Sequence, residues 1–282
     1  MNILSIQSHV AYGHVGNASA AFVLQRIGVE AWPILTVQFS NHTGYGSWRG
    51  RAFDAGMIRD IMQGIGECGV LGKCDGVLSG YLGSAEIGTA VLEAVAQVKA
   101  ANPKARYCCD PVIGDVGRDV FVQPGVAAFM RERAVPMADI VTPNHFELDH
   151  LTGRITKSLA EALAAVEAVR KTGPRIVLVT SLMVDDTPAD AIDLVACDDS
   201  GHYRLRTPKL PIAVNGAGDA IAALFFAHCL NTGSAADALS RAVSAVFGIL
   251  KLTADAGSRE ILLIDAQDEL VKPSREFRAE SI

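Results

Sequence analysis

The sequence predicts an α/β fold: a central, mostly parallel sheet with helices on both faces and no separate lid domain. Two patterns point there. Strand-like and helix-like segments alternate along most of the 282 residues, and the strand segments are short apolar runs such as "RIVLVTSLM" of the kind buried on both faces. A third observation bears on organisation. The chain has no internal repeat, low-complexity linker or composition break, so one domain spanning 1–282 is the economical reading.

The elements follow in order. "NILSIQS" and "WPILTVQF" read as strands, with "NASAAFVLQRIG" between them as a helix of small residues. A helix near "GMIRDIMQGIG" leads to a strand in "DGVLSGYLG". "SAEIGTAVLEAVAQVKAANP" is a helix with Ser84 as N-cap and a proline stop, followed by the strand "ARYCCDPVIG". "ADIVTPN" is a short strand. Ser158 and Glu161 then form a capping box on the next helix, which Gly173 closes. "RIVLVTSLM" is a buried strand, "AIDLVACDDSGHYRLRTPKL" a hairpin turning at Asp-Ser-Gly, and two long helices follow.

The totals narrow the function classes. Lys plus Arg is 25 and Asp plus Glu is 31, a formal charge of −6, which leaves neither a footprint for nucleic acid nor a polybasic segment for anionic membranes. The six cysteines form no C-x-x-C pair and mostly lie in apolar runs, which reads as reduced, buried thiols in a cytoplasmic protein. The N-terminal "MNILSIQSHVAYG" reads as a first strand and not as a signal peptide. Apolar stretches are broken before about 18 residues, so no spanning helix is expected.

"VNGAGDA" (214–220) runs into a helix that is apolar nearly all round, so its start is expected to be buried. Asp219 there has two readings. It can serve the helix N-terminus, where the dipole favours negative charge. Alternatively Gly216, Ala217 and Gly218 offer consecutive N–H groups to an anion, with Asp219 beside it as a base. Spacing alone leaves both open. Several polar residues follow predicted strands, among them Ser8, Thr43, Tyr81, Asp110, Thr142 with Asn144, and Thr180 with Ser181. In such sheets that edge is where ligands bind.

Two tempting motifs fail. "GIGECG" (64–69) matches G-x-G-x-x-G by letters but runs from helix to strand, the reverse of the dinucleotide context. "GKC" (72–74) lacks the earlier glycine and the Ser/Thr of a P-loop. The scattered histidines have no zinc spacing.

"IQSHVAYGHVGN", "TVQFSNHTGYG", "LSGYLGS", "CDPVIGD", "DIVTPNHFEL", "VLVTS" and "NGAGDA" together resemble, in order and spacing, the pyridoxal kinases of the ribokinase superfamily, from Ile6 to about Ala220. The resemblance implies a ribokinase-like fold and ATP-dependent phosphorylation of the 5′-hydroxymethyl group of pyridoxal. It makes Asp219 the general base and the Gly216–Gly218 amides the cradle of the transferring phosphoryl. It places Ser8, Thr43, Gly44 and Tyr81 around the pyridine ring. Asp110, Asp115 and Glu147 match acidic positions near the phosphates and metal, Asp115 and Glu147 being the metal candidates, with oxygen ligation that suits Mg²⁺. Thr142, Thr180 and Ser181 match nucleotide-site positions, and Thr207, Pro208, Lys209 and Leu210 match the segment bordering adenine or ribose. A monovalent cation and a homodimer are further family expectations.

The chain departs from some bacterial relatives. Those carry Gln at the position of Gly44 and Lys at that of Thr180, and some have a cysteine in the loop after Asp115, where this chain reads "VGRDVFV". The rival readings are a hydroxymethylpyrimidine kinase, whose enzymes typically carry Cys at the position of Asp219, a sugar kinase, and a vitamer-binding protein without turnover. A short loop at 115–123 is left to cover the phosphates.

Overall fold

The computed structural model describes residues 1–282. Strands β1 (Asn2–Val10) and β2 (Glu30–Phe39) pair in parallel across helix α1 (Asn17–Arg26). Alternation along β1 sends Leu4 and Ile6 to one apolar layer and Ile3 to the other, because successive side chains leave opposite faces of a strand. β3 (Gly50–Ala52) adds an exposed antiparallel edge to β2. α2 (Ala55–Glu67), capped by Asp54, returns the chain to β4 (Gly76–Ser79), on the other side of β1.

α3 (Ala85–Ala101) starts at Ser84, whose side chain accepts the Ile87 N–H as the sequence predicts, and leads to β5 (Arg106–Cys109). β6 (Gly114–Asp115) and β7 (Asp119–Val120) then form a small hairpin outside the main sheet. α4 (Val126–Phe129) continues through a wider turn at Met130–Ala134 into α5 (Val135–Met137) and then β8 (Ile140–Val141). α6 (His145–Thr152) and α7 (Leu159–Arg170) both begin with complete capping boxes, Asn144 with Glu147 and Ser158 with Glu161. β9 (Ile176–Leu182) is followed by the hairpin β10 (Ala191–Asp198) and β11 (Gly201–Pro208). α8 (Ala217–Thr232), α9 (Ala235–Asp255) and the short β12 (Glu280–Ser281) complete the chain.

The sheet order is β12-β11-β10-β9-β8-β5-β4-β1-β2-β3. From β2 through β9 every neighbouring pair is parallel, and the antiparallel pairs are confined to the two edges. One face packs on α2, α3, α6 and α7 through residues such as Ile58, Val91, Leu148 and Val166. The other packs on α1, α8 and α9 through Leu24, Phe225, Phe226 and Leu239. α8 lies between the sheet and its neighbours, which is why it is apolar on every side. The chain order reverses at β1, since β2 lies on one side and β4 on the other. Ligands bind beside such a switch point, at the carboxyl ends of the parallel strands. No helix is long and apolar enough to cross a membrane.

Several predicted strands are shorter than their sequence signals. "DGVLSGYLG" is strand only to Ser79, and "ARYCCDPVIG" only to Cys109. Gly80 there abuts the Gln7 side chain, and Gly83 takes a left-handed φ of 82°, which ends the ladder.

Candidate active site

A cleft of about 740 Å³ opens at the carboxyl ends of the parallel strands. Ser8 of β1, Tyr81 after β4, Asp110 after β5, Thr142 after β8, and Thr180 and Ser181 on β9 all line it. Thr43, Asp115, Glu147 and the run Gly216–Asp219 join them from loops and helix starts. Gly44 adjoins Thr43 without lining the cleft itself. Thr207, Pro208, Lys209 and Leu210 do not line it either. Thr207 and Pro208 end β11 on the antiparallel side of the sheet, where the Lys209 N–H bonds the Asp190 carbonyl.

The helix start at Gly216 is less enclosed than its apolar sequence predicts. Gly218 is exposed and Asp219 half-buried, because the N-terminus of α8 opens into the cleft. Gly216 holds φ at 91°, and a side chain there would overlap the carbonyl oxygen of His14. The Gly216 carbonyl in turn accepts the Ser19 hydroxyl at 3.0 Å, so α1 fixes the turn from behind. The helix dipole and the free N–H groups of the first turn give this turn a positive potential facing the cleft. Burial pushes the Asp219 carboxyl up to about 6, with backbone N–H groups of Gly16 and of Asp219 itself pulling the other way.

Asp110 is buried and accepts the Thr142 hydroxyl at 2.9 Å. Burial, followed by the neighbouring Glu147 and Asp219 charges, raises its carboxyl well above the usual range. Glu147 is the third residue of α6, and both its oxygens are engaged. One accepts the Ile113 N–H at 2.9 Å and the Gly114 N–H at 3.4 Å, and the other accepts the Asn144 N–H at 2.9 Å. The Asn144 side chain donates to the Gly114 carbonyl at 2.8 Å. The capping box of α6 thus also pins the base of the β6–β7 hairpin. Burial nonetheless pushes Glu147 up to about 8.

The donors suit a hard cation, since all are oxygens, but no three metal-ligating side chains converge. Asp115 turns one oxygen to the Val116 N–H at 2.8 Å, and Glu147 is committed to backbone. That arrangement fits Mg²⁺, which keeps most of its water and is shared with substrate phosphates, better than a dedicated protein cage.

Of the lining residues to which sequence reasoning gave no role, three polar ones stand near the glycine turn and the Thr43 loop. His42 accepts the Gly44 N–H at 3.0 Å and faces the cleft beside Thr43. Asn215 stands one residue before the glycine turn. Arg118, at the tip of the β6–β7 hairpin, is the only Lys or Arg among the lining residues. His42 and Asn215 stand inside the "TVQFSNHTGYG" and "NGAGDA" segments without an assigned role, and Arg118 belongs to no motif. Ser181 has a left-handed φ of 52°, and Asp119 one of 51°; they are the only non-glycine residues in that region, and they lie at and beside the cleft.

A sequence profile described as phosphomethylpyrimidine kinase matches residues 58–262. The Granulibacter bethesdensis protein named pyridoxal kinase PdxY is 57% identical, across 99% of either chain. The chain belongs to the pyridoxal kinase family. The pyridoxal kinase of Deinococcus radiodurans is 54% identical over 100% of this chain and 96% of its own. The fold agrees. The Leishmania donovani pyridoxal kinase in complex with ADP and pyridoxamine superposes with a TM-score of 0.92 at 30% identity, over 100% of this chain and 99% of that one. The Entamoeba histolytica pyridoxal kinase gives 0.91 at 26% identity. The ribokinase-like fold expected from the motifs is the one found, without a separate lid domain.

Proposed function

We propose that this pyridoxal kinase family member transfers the γ-phosphoryl of ATP to the 5′-hydroxyl of pyridoxal, giving pyridoxal 5′-phosphate for vitamin B6 salvage. The observation that carries the reading is the Asp219 carboxylate beside the Gly216–Gly218 turn, at the floor of a cleft that also receives Ser8, Thr43 and Tyr81. Asp219 takes the hydroxyl proton, and a value of about 6 suits a base at neutral pH. The free N–H groups at the start of α8 hold the equatorial oxygens as charge builds on them, the main task in phosphoryl transfer. Asp110, Thr142, Glu147, Thr180 and Ser181 flank the ATP side.

ATP enters with a divalent metal, for which we propose Mg²⁺. Asp115 and Glu147 would hold it, Glu147 through water because both its oxygens accept backbone N–H groups, with Asp110 beside them; when bound it neutralises phosphate charge. A monovalent cation beside the nucleotide is a further family expectation. We assign the activity to a single domain over 1–282 acting in the cytoplasm. A homodimer is proposed from the family resemblance, supported by the exposed β3 edge and the exposed Trp48 beside it.

The matching profile's description keeps one second reading in play, phosphorylation of a hydroxymethylpyrimidine. The deciding assay follows ATP- and Mg²⁺-dependent phosphorylation of pyridoxal, pyridoxine, pyridoxamine, hydroxymethylpyrimidine and ribose in parallel. Pyridoxal 5′-phosphate formation supports the reading. Turnover of the pyrimidine alone replaces the substrate, and vitamer binding without turnover makes the protein a B6 carrier.

A further inference from the structure

The cleft is rich in carboxyl groups and poor in cations for a site that takes a triphosphate. Asp110, Asp115, Glu147 and Asp219 line it, and Arg118 is the single cationic side chain that does so. Arg118 forms no ion pair with any carboxylate, although Asp115 and Asp119 flank it in the hairpin. Its contacts lie elsewhere. One guanidinium nitrogen lies 3.5 Å from the Asn215 side-chain oxygen, one residue before the glycine turn. Another lies 3.2 Å from where a Cβ on Gly44 would stand, in the loop that carries Thr43. The guanidinium also rests 5.6 Å over the Phe121 ring.

The side chain therefore spans the gap between the loop expected to hold the vitamer and the turn expected to hold the phosphoryl. A group passing from ATP to the 5′-oxygen has to cross that gap. The hairpin that carries Arg118 is a short two-stranded arm with left-handed residues at Gly117 and Asp119; Glu147 and Asn144 pin its base, and its tip meets the glycine turn through the 3.5 Å Arg118–Asn215 contact. An arginine without a carboxylate partner on such an arm is free to take an anion, and its planar fork matches phosphoryl oxygens better than an ammonium does.

We propose that Arg118 is a catalytic residue that closes over the transferring phosphoryl opposite the Gly216–Gly218 amides. This rests on the phosphotransferase reading above. In the step, the bond from the γ-phosphorus to the bridging oxygen breaks, and its electron pair leaves with ADP. The bond to the 5′-oxygen forms, and the hydroxyl proton passes to Asp219. Arg118 binds the non-bridging oxygens, whose charge is greatest between those two states.

The test compares wild type, Arg118→Ala and Arg118→Lys by steady-state kinetics, and by calorimetric binding of Mg·ADP with and without aluminium fluoride and pyridoxal. Arg118 is exposed at a hairpin tip, so the variants should fold, and circular dichroism with a thermal melt verifies it. Loss of one such donor typically lowers kcat by about 10²–10³-fold. We expect that loss in Arg118→Ala, with KM values changed by less than about threefold and only partial recovery in Arg118→Lys. Aluminium fluoride should lose its tightening of ADP binding, and added guanidinium chloride should restore part of kcat.

A kcat within about threefold of wild type overturns the proposal. So does a lower kcat that guanidinium does not rescue and that leaves analogue affinity intact, since Arg118 would then only strut the hairpin. The analogue comparison also separates this proposal from the substrate reading. A wild type that phosphorylates no vitamer, yet binds the ADP–aluminium fluoride analogue more tightly than Arg118→Ala does, retains Arg118 and discards pyridoxal.

Discussion

Replacing Asp219 with asparagine preserves shape and removes basicity, and its consequences run in opposite directions for activity and stability. Burial holds the carboxyl at about 6 against an ordinary value of 3.8, so the folded protein binds this proton more tightly than the unfolded chain does. The ionised group therefore opposes folding. The penalty is absent below about pH 4, grows across the window between the two values, and is complete above about pH 6. A shift of about 2 units at about 1.4 kcal/mol each bounds it near 3 kcal/mol; half-burial beside open water reduces that to about 1–2 kcal/mol. Ligand-free Asp219→Asn should then melt roughly 2–5 °C above wild type at pH 8, with the gap closing towards pH 4. Loss of the base should meanwhile cut kcat/KM by about 10²–10⁴-fold and abolish the acid limb near pH 6. Vitamer-dependent ADP release from pH 5 to 8.5, with melts of the same samples, measures both. Activity within about tenfold of wild type, or the same acid limb surviving in the variant, would refute the assignment.

Two further substitutions probe the scaffold of the site. Gly216→Ala forces a side chain into the His14 carbonyl at a left-handed φ, so both activity and melting temperature should fall, activity by at least about 10²-fold; unchanged turnover would show that the turn is not catalytic. Glu147→Gln puts an amide NH₂ against backbone N–H donors at Asn144 or at Ile113 and Gly114, which should loosen the hairpin. The expected result is an increase of about tenfold in KM for Mg·ATP with faster amide exchange over 113–120, and unaltered exchange there would contradict the pinning role.

What the sequence reveals and what it hides divide along physical lines. The alternation of strands and helices was legible because burial on both faces writes continuous apolar runs, and because Ser84 and the Ser158–Glu161 box are local signals. The Asn144–Glu147 box is equally local, written as N-x-x-E in "NHFE", yet it also clamps Gly114, thirty or more residues away in sequence, which no local pattern records. The acids and glycines of the cleft were legible through motif resemblance, since consecutive residues of G-A-G-D do the work together. Arg118 was not, because its significance is the lack of a carboxylate partner in three dimensions. Gly44 and Thr207–Leu210 show the converse limit. The resemblance assigned them to the site, whereas the structure leaves Gly44 beside the cleft and ends β11 on the antiparallel edge, where Arg206 grips the buried Asp193 with two bonds of 2.7 Å.

The same charge inventory explains why the cleft needs what its relatives' reaction supplies. Four carboxyl groups and one arginine line the apo site, and burial first, with neighbouring carboxylates second, raises the proton affinities of Asp110 and Glu147. A triphosphate that enters without cations meets carboxyl groups whose ionisation burial already opposes. A divalent metal entering with the phosphates favours the ionised carboxylates and compensates the phosphate charge, so it suits the protein's electrostatics as well as phosphate chemistry. A site rich in lysine would bind nucleotide without metal, but it would also hold ADP after the transfer. On the Arg118 proposal, carrying the one cation on a hairpin tip lets the attraction appear on closure and fade on opening, which suits a kinase that must release ADP on every turnover.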